Sequence, residues 1–317
     1  MTTRFLGRTG IPVPPLCFGG NVFGWTVDAA ASHALLDRMV DAGLTFIDTA
    51  DVYSAWVPGN RGGESETILG DWLAGRKRRA DVTIATKVGH EMGPGMKGLK
   101  PAYLRSAIEA SLRRLRTDHV DLYQSHVDDA DTPIADTLAV YADLIREGKV
   151  RAIGASNHGA ARLREALDVA AREGLPRYET LQPHFNLYNR SDYEGPLEDL
   201  CRAEGLGVIT YWSLARGFLT GKYRSEADLS KSPRGKGVAP FLDERGFRVL
   251  AALDAVAAEK GATQGQVALA WLMARPGITA PIASATTPAQ LDELIGAMRL
   301  ELEAATIARL DAAGATG

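Results

Sequence analysis

The chain has 317 residues, of which 45% are hydrophobic and 24% are charged, so it can bury a core of substantial size. Its formal net charge of −3 gives no basic surface of the kind that binds nucleic acid, and we see no run of about 18 apolar residues that would cross a membrane. The N-terminal segment MTTRFLGRTG lacks the apolar run of a signal peptide, so we expect a cytoplasmic protein. Two cysteines, Cys17 and Cys201, lie in apolar segments and are predicted to be buried thiols.

Short apolar runs alternate with longer amphipathic segments along the whole chain. The apolar runs predict strands near 16–18 and over 44–48, 82–87, 120–126, 150–156, 179–182, 207–212 and 278–284. The segments that follow them predict helices over about 28–42, 65–73, 102–115, 134–147, 160–173, 193–204, 244–260 and 288–298. Glycine ends the tripeptides DAG, REG and AEG just before three of the strands, as is typical of a helix C-terminus. The strands are apolar nearly throughout, which indicates a parallel sheet buried on both faces.

Strand–helix units repeated in this way, without a low-complexity linker, predict a single (β/α)8 barrel over residues 1–317. A doubly wound sheet is the alternative fold. It would usually carry G-x-G-x-x-G after its first strand, whereas this chain has FGGNVFGW. In a barrel, the active site lies at the C-terminal ends of the strands. That fold would gather these polar residues at one mouth: Asp48, Lys87, His126, Ser156, Asn157, Gln182, Tyr211 and Ser284.

Four residues near the strand ends supply groups for proton transfer to a carbonyl: Asp48, Tyr53, Lys87 and His126. A tyrosine with a pKa of about 10 is a weak acid at neutral pH, but a nearby ammonium lowers that pKa. Lys87, held by Asp48, would be that ammonium. Tyr53 would then give its proton to the carbonyl oxygen, and His126 would orient that oxygen. None of these groups supplies electrons, so a hydride donor must bind.

Each of the four residues has a simpler interpretation when it is considered alone. Asp48 would be a helix cap, Tyr53 a rim aromatic and His126 a core histidine. Lys87 is harder to explain in this way, because burying an ammonium without a partner is costly. The four residues together therefore favour a catalytic site.

The segment GLTFIDTADVYS at 43–54 resembles the aldo-keto reductase signature around the catalytic aspartate and tyrosine. Similar segments cover nearly the whole chain: TKVG at 86–89, VDLYQSHVDD at 120–129, GKVRAIGASN at 148–157 and YWSLARGFLTGKY at 211–223. The chain is most similar to the bacterial branch of this family that is related to potassium-channel β subunits. The resemblance implies that Asp48, Tyr53, Lys87 and His126 form the catalytic tetrad. It also implies that an extended nicotinamide dinucleotide binds across the barrel mouth without a Rossmann domain.

The resemblance assigns the residues that would bind this cofactor. The nicotinamide carboxamide would be hydrogen-bonded by Ser156, Asn157 and Gln182. Tyr211 would stack on the nicotinamide ring, and Gly20 and Asn21 would contact the same end of the cofactor. The pyrophosphate path would be lined by Ser213, Leu214 and Arg216.

The segment PIASATTPAQLDELIGAM at 281–298 departs from the family pattern, because it has no Lys or Arg to pair with a 2′-phosphate. The usual basic positions match Ser284, Thr286 and Gln290. Glu293 is retained where the family contacts adenine, but the following Asn is Leu294. By resemblance to the channel β subunits, Lys222 and Arg234 would bind the phosphate instead. NADP(H) is therefore slightly favoured, and NAD(H) stays open as the alternative.

The stretch from Tyr223 to Phe247 is long, basic and punctuated by Gly and Pro, which predicts a loop that orders over the cofactor. The candidate walls of the substrate pocket are aromatic: Trp25, Trp56 and Phe241. Such walls suit sugars, aryl aldehydes and terpenoid ketones alike. We expect a small carbonyl or alcohol substrate and no metal, and the sequence predicts no oligomeric state.

Two other functions use part of the same pattern. A lyase or aldolase would form a Schiff base on Lys87, but a close Asp48 carboxylate should keep this amine charged. A redox-sensing regulatory subunit, resembling channel β subunits, would keep the tetrad with slow turnover. Reversible carbonyl reduction is the function that uses all four residues.

Overall fold

The structure, a computed structural model, describes residues 3–315. An antiparallel hairpin of two short strands, β1 (Arg4–Phe5) and β2 (Pro12–Val13), precedes the main sheet. The eight strands of that sheet are β3 (Cys17–Gly19), β4 (Phe46–Asp48), β5 (Thr83–Val88), β6 (Val120–Ser125), β7 (Val150–Ser156), β8 (Thr180–Gln182), β9 (Gly207–Val208) and β10 (Ile282–Ala283).

The eight strands are parallel, and their order closes them into a barrel. Strands β3 to β9 pair in chain order, and β10 pairs with the outer edge of β3. The backbone N–H groups of Thr279 and Ile282 donate to the carbonyls of Val208 and Thr210. These bonds join β9 to the segment that leads into β10. The predicted (β/α)8 barrel is therefore confirmed.

The helices surround the barrel. They are α1 (Ala29–Asp41), α2 (Glu64–Arg76), α3 (Pro101–Leu115), α4 (Ile134–Arg146), α5 (Ala160–Glu173), α6 (Pro196–Glu204), α7 (Glu244–Lys260), α8 (Gln264–Ala274), α9 (Pro288–Ala297) and α10 (Ala304–Gly314). Helix α5 shows how they pack: Leu163, Ala166, Leu167 and Ala170 recur at helical spacing and are buried against the sheet side. No helix within residues 3–315 is long and apolar enough to span a membrane.

The N-terminal hairpin closes one end of the barrel. Leu6, Ile11 and Val13 form a buried cluster with residues of the barrel strands such as Phe46 and Leu122. The side chains in the barrel interior are thus a packed core, and the opposite end, where the strands finish, carries the polar residues. Both cysteines are buried free thiols, as predicted.

The sequence missed two helices, α8 and α10, and the hairpin. Eight of the 11 residues of α8 are buried, so its sequence has no polar face and no amphipathic pattern. A capping box between Thr263 and Gln266 was the available signal for its start. The predicted strands over 207–212 and 278–284 are longer than the paired segments of β9 and β10.

The stretch 223–247 is more ordered than a loop. It contains two 3-10 helices, Glu226–Lys231 and Gly235–Phe241, and α7 begins at Glu244. The ring of Phe241 is buried and lies 5.0 Å from the ring of Tyr188 and 5.5 Å from that of Phe218. Phe241 is therefore a core residue, and its expected place in the substrate pocket is wrong: aromatic burial places the ring in this cluster.

Candidate active site

A buried ion pair lies where β4 and β5 end. Asp48 is the last residue of β4, and Lys87 is the penultimate residue of the neighbouring β5. Their side chains are 1% and 0% exposed, and Nζ of Lys87 lies 2.6 Å from Oδ2 of Asp48. Nζ also donates to the carbonyl of Thr49 at 2.8 Å. A lysine nitrogen with a carboxylate and a carbonyl as such close partners is poorly placed to act as a Schiff-base nucleophile.

Tyr53 is hydrogen-bonded to both members of the ion pair. Its hydroxyl donates to Oδ2 of Asp48 at 3.0 Å and accepts from Nζ of Lys87 at 2.8 Å. His126 directly follows β6, and its ring centroid lies 6.1 Å from that of Tyr53. The structure thus brings the four predicted tetrad side chains together at one mouth of the barrel.

The pKa of Tyr53 differs from the expectation. Burial of the hydroxyl, followed by the Asp48 carboxylate that accepts its hydrogen, raises the pKa of Tyr53 well above its usual value. The predicted lowering by Lys87 is wrong for this arrangement, because burial and then the Asp48 carboxylate both raise the pKa of Tyr53. Tyr53 is consequently a neutral phenol at physiological pH, which is the form that can donate a proton.

His126 is a neutral imidazole. Burial, and then the positive charge of Lys87, lower the pKa of His126 well below its usual value. Its Nδ1 is buried and has no hydrogen-bond partner among residues 3–315. A buried acceptor without a partner costs less than a buried donor, so we assign the ring proton to Nε2. Nε2 is then the nitrogen that can donate to a bound carbonyl.

The second oxygen of Asp48 is held by two amides. Nε2 of Gln182, on β8, donates to Oδ1 of Asp48 at 2.9 Å, and Nε2 of Gln124, on β6, does so at 3.4 Å. Gln182, which the sequence analysis assigned to the nicotinamide carboxamide, is therefore bonded to the tetrad through its amide nitrogen. The sequence analysis missed Gln124, whose inward position on β6 was the available signal.

The other predicted nicotinamide contacts form a connected row. Oγ of Ser156 donates to the carbonyl of Gln182 at 3.0 Å, and Nδ2 of Asn157 donates to the carbonyl of His126 at 2.9 Å. The Tyr211 hydroxyl donates to Oδ1 of Asn157 at 2.8 Å. These bonds fix the row beside the tetrad.

A histidine that the sequence analysis did not select supports Tyr211. The His184 ring stacks on the Tyr211 ring, with centroids 5.4 Å apart and an interplanar angle of 15°. Nδ1 of His184 lies 2.8 Å from a carboxylate oxygen of Asp192, which holds the stack. One face of Tyr211 is thereby occupied by protein.

Left-handed backbone at non-glycine residues is concentrated around the mouth. Of the seven such residues within 3–315, five lie in the loops of the mouth: Ser54, Asn157, Trp212, Ala215 and Arg216. Such conformations cost free energy and persist where the surrounding structure fixes them, as at ligand sites.

Three cations near the mouth have no carboxylate partner within residues 3–315: Arg216, Lys222 and Arg234. The Arg216 guanidinium lies 3.8 Å from the Trp212 ring, and that of Arg234 lies 5.1 Å from the Trp25 ring. Nη2 of Arg234 is buried, and no group in the described part of the chain forms a hydrogen bond with it. Burial, and then the charge of Arg216, lower the pKa of Arg234. Like charges held close together without acids are suited to binding an anion.

The remaining predicted cofactor residues lie in two places. Oγ of Ser284 donates to Oδ1 of Asn21 at 2.8 Å, beside Gly20. A Cβ at Gly19 would lie 2.6 Å from this Oγ, so a larger residue there would displace the Ser284 side chain. Three more of the predicted cofactor residues form hydrogen bonds within the protein. Oγ of Ser213 donates to the Thr210 carbonyl, and Oγ1 of Thr286 donates to Oε1 of Gln290. Leu214 is half-buried and Glu293 is exposed on α9.

Of the two tryptophans predicted as pocket walls, Trp56 lies beside Tyr53 and Trp25 lies beside Trp56. The Trp56 ring is 6.1 Å from the Tyr53 ring and 5.6 Å from the Trp25 ring. The Arg234 guanidinium lies over the Trp25 ring. Segment 223–247 therefore reaches the side of the barrel mouth on which Trp25 and Trp56 lie.

The sequence analysis also missed two ionisable residues near the tetrad, the buried Asp51 and the half-buried His90. The Asp51 carboxylate is buried with no hydrogen-bond partner in the described part of the chain, and burial, followed by Glu66, raises the pKa of Asp51 to about 8. His90 lies beside His126, with ring centroids 4.2 Å apart. Neither residue ends a predicted strand, and the sequence analysis looked for site residues mainly at the ends of predicted strands.

The closed parallel barrel thus gathers an acid, a cation, a phenol and an imidazole at its mouth. A sequence model of the Aldo/keto reductase family matches residues 15–315. The chain belongs to this family, and it is a nicotinamide-dependent oxidoreductase.

Curated relatives cover nearly the full length of the chain. "Uncharacterized oxidoreductase YrpG" of Bacillus subtilis is 36% identical over 312 residues, which is 96% of this chain and 93% of the relative. "Probable voltage-gated potassium channel subunit beta" of Oryza sativa is 33% identical, over 94% of this chain and 91% of the relative. "Aldo-keto reductase yakc [NADP(+)]" of Schizosaccharomyces pombe is 29% identical, over 96% and 89%. The resemblance to potassium-channel β subunits is therefore confirmed.

Proposed function

We propose that this protein reversibly reduces an aldehyde or ketone to an alcohol, with Tyr53 as the proton donor. The observation that carries the proposal is the Tyr53 hydroxyl, which is bonded to both Asp48 and Lys87 and held as a neutral phenol. During reduction, charge develops on the carbonyl oxygen. Tyr53 gives that oxygen a proton, while the Lys87 ammonium stabilises the phenolate that remains. His126 donates from Nε2 and aligns the carbonyl.

A nicotinamide cofactor supplies the hydride when it is bound. The residues present fit such a group. Tyr211 offers a ring face, and Oε1 of Gln182 offers an acceptor for the carboxamide. Arg216, Lys222 and Arg234, which have no carboxylate partner within residues 3–315, offer partners for phosphate. We propose that Arg216 lies along the pyrophosphate and that segment 223–247 covers the cofactor.

We further propose that NADP(H) is preferred over NAD(H). Lys222 and Arg234 lack carboxylate partners within residues 3–315, whereas the exposed cation Arg224 is paired with Asp254 at 2.7 Å. A 2′-phosphate would supply the missing negative charge. The relative from Schizosaccharomyces pombe that is named for NADP(+) is consistent with this preference.

Replacing both Lys222 and Arg234 with alanine should weaken NADPH binding by roughly 10- to 100-fold more than NADH binding, because only NADPH carries the 2′-phosphate. The dissociation constants can be measured by quenching of protein fluorescence. Arg224→Ala is the matched control, because its guanidinium already has a carboxylate partner, and it should leave the NADPH/NADH ratio unchanged. An unchanged ratio in the double variant would remove these two residues from the phosphate site.

The reaction class can be tested with a panel of carbonyl compounds and alcohols. We expect NADPH oxidation with several aldehydes and NADP+ reduction with the matching alcohols. Tight cofactor binding without a single turnover by any aldehyde would instead favour a regulatory subunit. We propose a cytoplasmic location for this activity.

A further inference from the structure

His184 covers one face of Tyr211, the residue whose other face receives the nicotinamide under the proposed function. The backbone N–H of Tyr211 donates to the carbonyl of Pro183 at 3.0 Å, which places His184 and Tyr211 side by side on neighbouring strand ends. Their rings are nearly parallel, with an interplanar angle of 15° and centroids 5.4 Å apart. A cofactor ring can therefore stack only on the face of Tyr211 that His184 leaves open.

A carboxylate fixes both the orientation and the proton of the His184 ring. Nδ1 of His184 lies 2.8 Å from Oδ2 of Asp192. Burial lowers the pKa of His184 by more than the Asp192 carboxylate raises it, so the imidazole is neutral at physiological pH. We assign the ring proton to Nδ1, because a carboxylate oxygen can only accept a hydrogen bond. Nε2 is then the acceptor nitrogen, and it is buried.

Two charged side chains of opposite sign act on this stack. Burial, and then the charge of Asp192, raise the pKa of Tyr211, so the field of the carboxylate reaches the Tyr211 ring. The Arg216 guanidinium lies 3.8 Å from the Trp212 ring, whose centroid is 5.1 Å from that of His184. Asp192 is bonded to the stack itself, whereas the tryptophan ring separates Arg216 from it. The nearer charge behind Tyr211 is therefore negative.

We propose that His184, held by Asp192, is a positioning residue that strengthens binding of the oxidised cofactor relative to the reduced one. This inference rests on the proposed function and concerns the redox state of the cofactor at the same site. The nicotinamide ring of NADP+ carries a positive charge, whereas the corresponding ring of NADPH is neutral. Aromatic faces attract cations, and an imidazole that donates to a carboxylate is richer in electrons than one without that bond.

The same arrangement bears on the direction of the reaction. Carbonyl reduction leaves a positive charge on the nicotinamide ring, and the stack of Tyr211, His184 and Asp192 would stabilise that charge where it develops. A site that binds NADP+ more tightly than NADPH makes the bound NADPH a stronger hydride donor. The stack would therefore favour carbonyl reduction on the enzyme.

The test measures the dissociation constants of NADP+ and NADPH by calorimetry at neutral pH and compares their ratio among variants. Asp192→Asn removes the charge from an exposed side chain, and His184→Phe keeps a ring in the stack without the bond to Asp192. Each should weaken NADP+ binding by about 3- to 10-fold more than NADPH binding. Asp118→Asn is the matched control, because Asp118 also lies beside a histidine but precedes β6, at the opposite end of the barrel. It should keep the wild-type ratio.

Tyr211→Ala separates this inference from the proposed cofactor position. It should weaken binding of both forms, because it removes the ring on which the nicotinamide stacks. If it does so and Asp192→Asn keeps the wild-type ratio, His184 and Asp192 do not select the oxidised cofactor, and the proposed function stands. If Tyr211→Ala changes neither affinity, the cofactor does not stack on Tyr211 and the inference is wrong. If the wild-type protein binds neither NADP(H) nor NAD(H), the proposed function fails as well.

Discussion

Tyr53→Phe should lower kcat for carbonyl reduction by about 100- to 10,000-fold, the range over which a positioned general acid accelerates proton transfer. The phenylalanine ring keeps the shape of the tyrosine but has no proton to give to the developing alkoxide. The hydroxyl is also one of three groups that accept from Nζ of Lys87, so its loss leaves the Asp48 and Thr49 contacts in place. Single-turnover oxidation of bound NADPH is the direct measurement.

The affinity for NADPH shows whether Tyr53→Phe has lost only the proton donor or has also lost the cofactor site. Tyr53→Phe should bind NADPH with nearly wild-type affinity. Tyr193→Phe is the matched control, because the Tyr193 hydroxyl is buried and has no hydrogen-bond partner within residues 3–315. Its removal should change kcat little. Substantial residual turnover in Tyr53→Phe would show that another group donates the proton.

The raised pKa of Tyr53 predicts how the rates of carbonyl reduction and alcohol oxidation depend on pH. Because the folded-state pKa lies well above 10, the phenol keeps its proton through neutral and moderately alkaline pH. Reduction should therefore not decline up to about pH 10 through loss of this proton. Alcohol oxidation needs the phenolate, so its rate should rise with pH over the same interval.

The barrel and the tetrad could be predicted because each follows from local sequence. Apolar runs that end in Asp48 or just before His126 indicate strands, and parallel strands bring their C-terminal ends together. Helix α8 could not be predicted in this way, because burial on nearly all sides removes the amphipathic pattern. The position of Phe241 depends on contacts with residues distant in the sequence, and local patterns carry no information about such contacts.

The electrostatics of the site were the least predictable feature. The sequence places an ammonium and a phenol near each other, and this pairing alone predicts a lowered tyrosine pKa. The structure shows that Oδ2 of Asp48 accepts from both groups, at 2.6 Å from Lys87 and 3.0 Å from Tyr53. The balance between a carboxylate and an ammonium depends on these distances and on burial. Neither is encoded in residue spacing.

Lys87→Met should destabilise the protein by about 3–5 kcal/mol, since it leaves the Asp48 carboxylate buried without its counterion. The amide donors of Gln124 and Gln182 remain, but they carry no charge. The free energy of unfolding in urea is the measurement. Arg38→Met is the matched control, because the ion pair of Arg38 with Asp292 is about half exposed and should be worth about 1 kcal/mol or less.

A double variant without either charge of the Asp48–Lys87 pair shows whether the pair serves the stability of the fold or the reaction. Asp48→Asn combined with Lys87→Met leaves no unpaired charge at this position, so it should recover most of the stability that Lys87→Met loses. It should recover none of the activity, because no ammonium remains to stabilise the Tyr53 phenolate.

If Lys87→Met lowers the free energy of unfolding no more than Arg38→Met does, the pair is not the buried ion pair that its contacts indicate. If the double variant stays as unstable as the single one, packing and not charge accounts for the loss. A stable and inactive double variant would mean that the pair is retained for the reaction, because the fold does not need it.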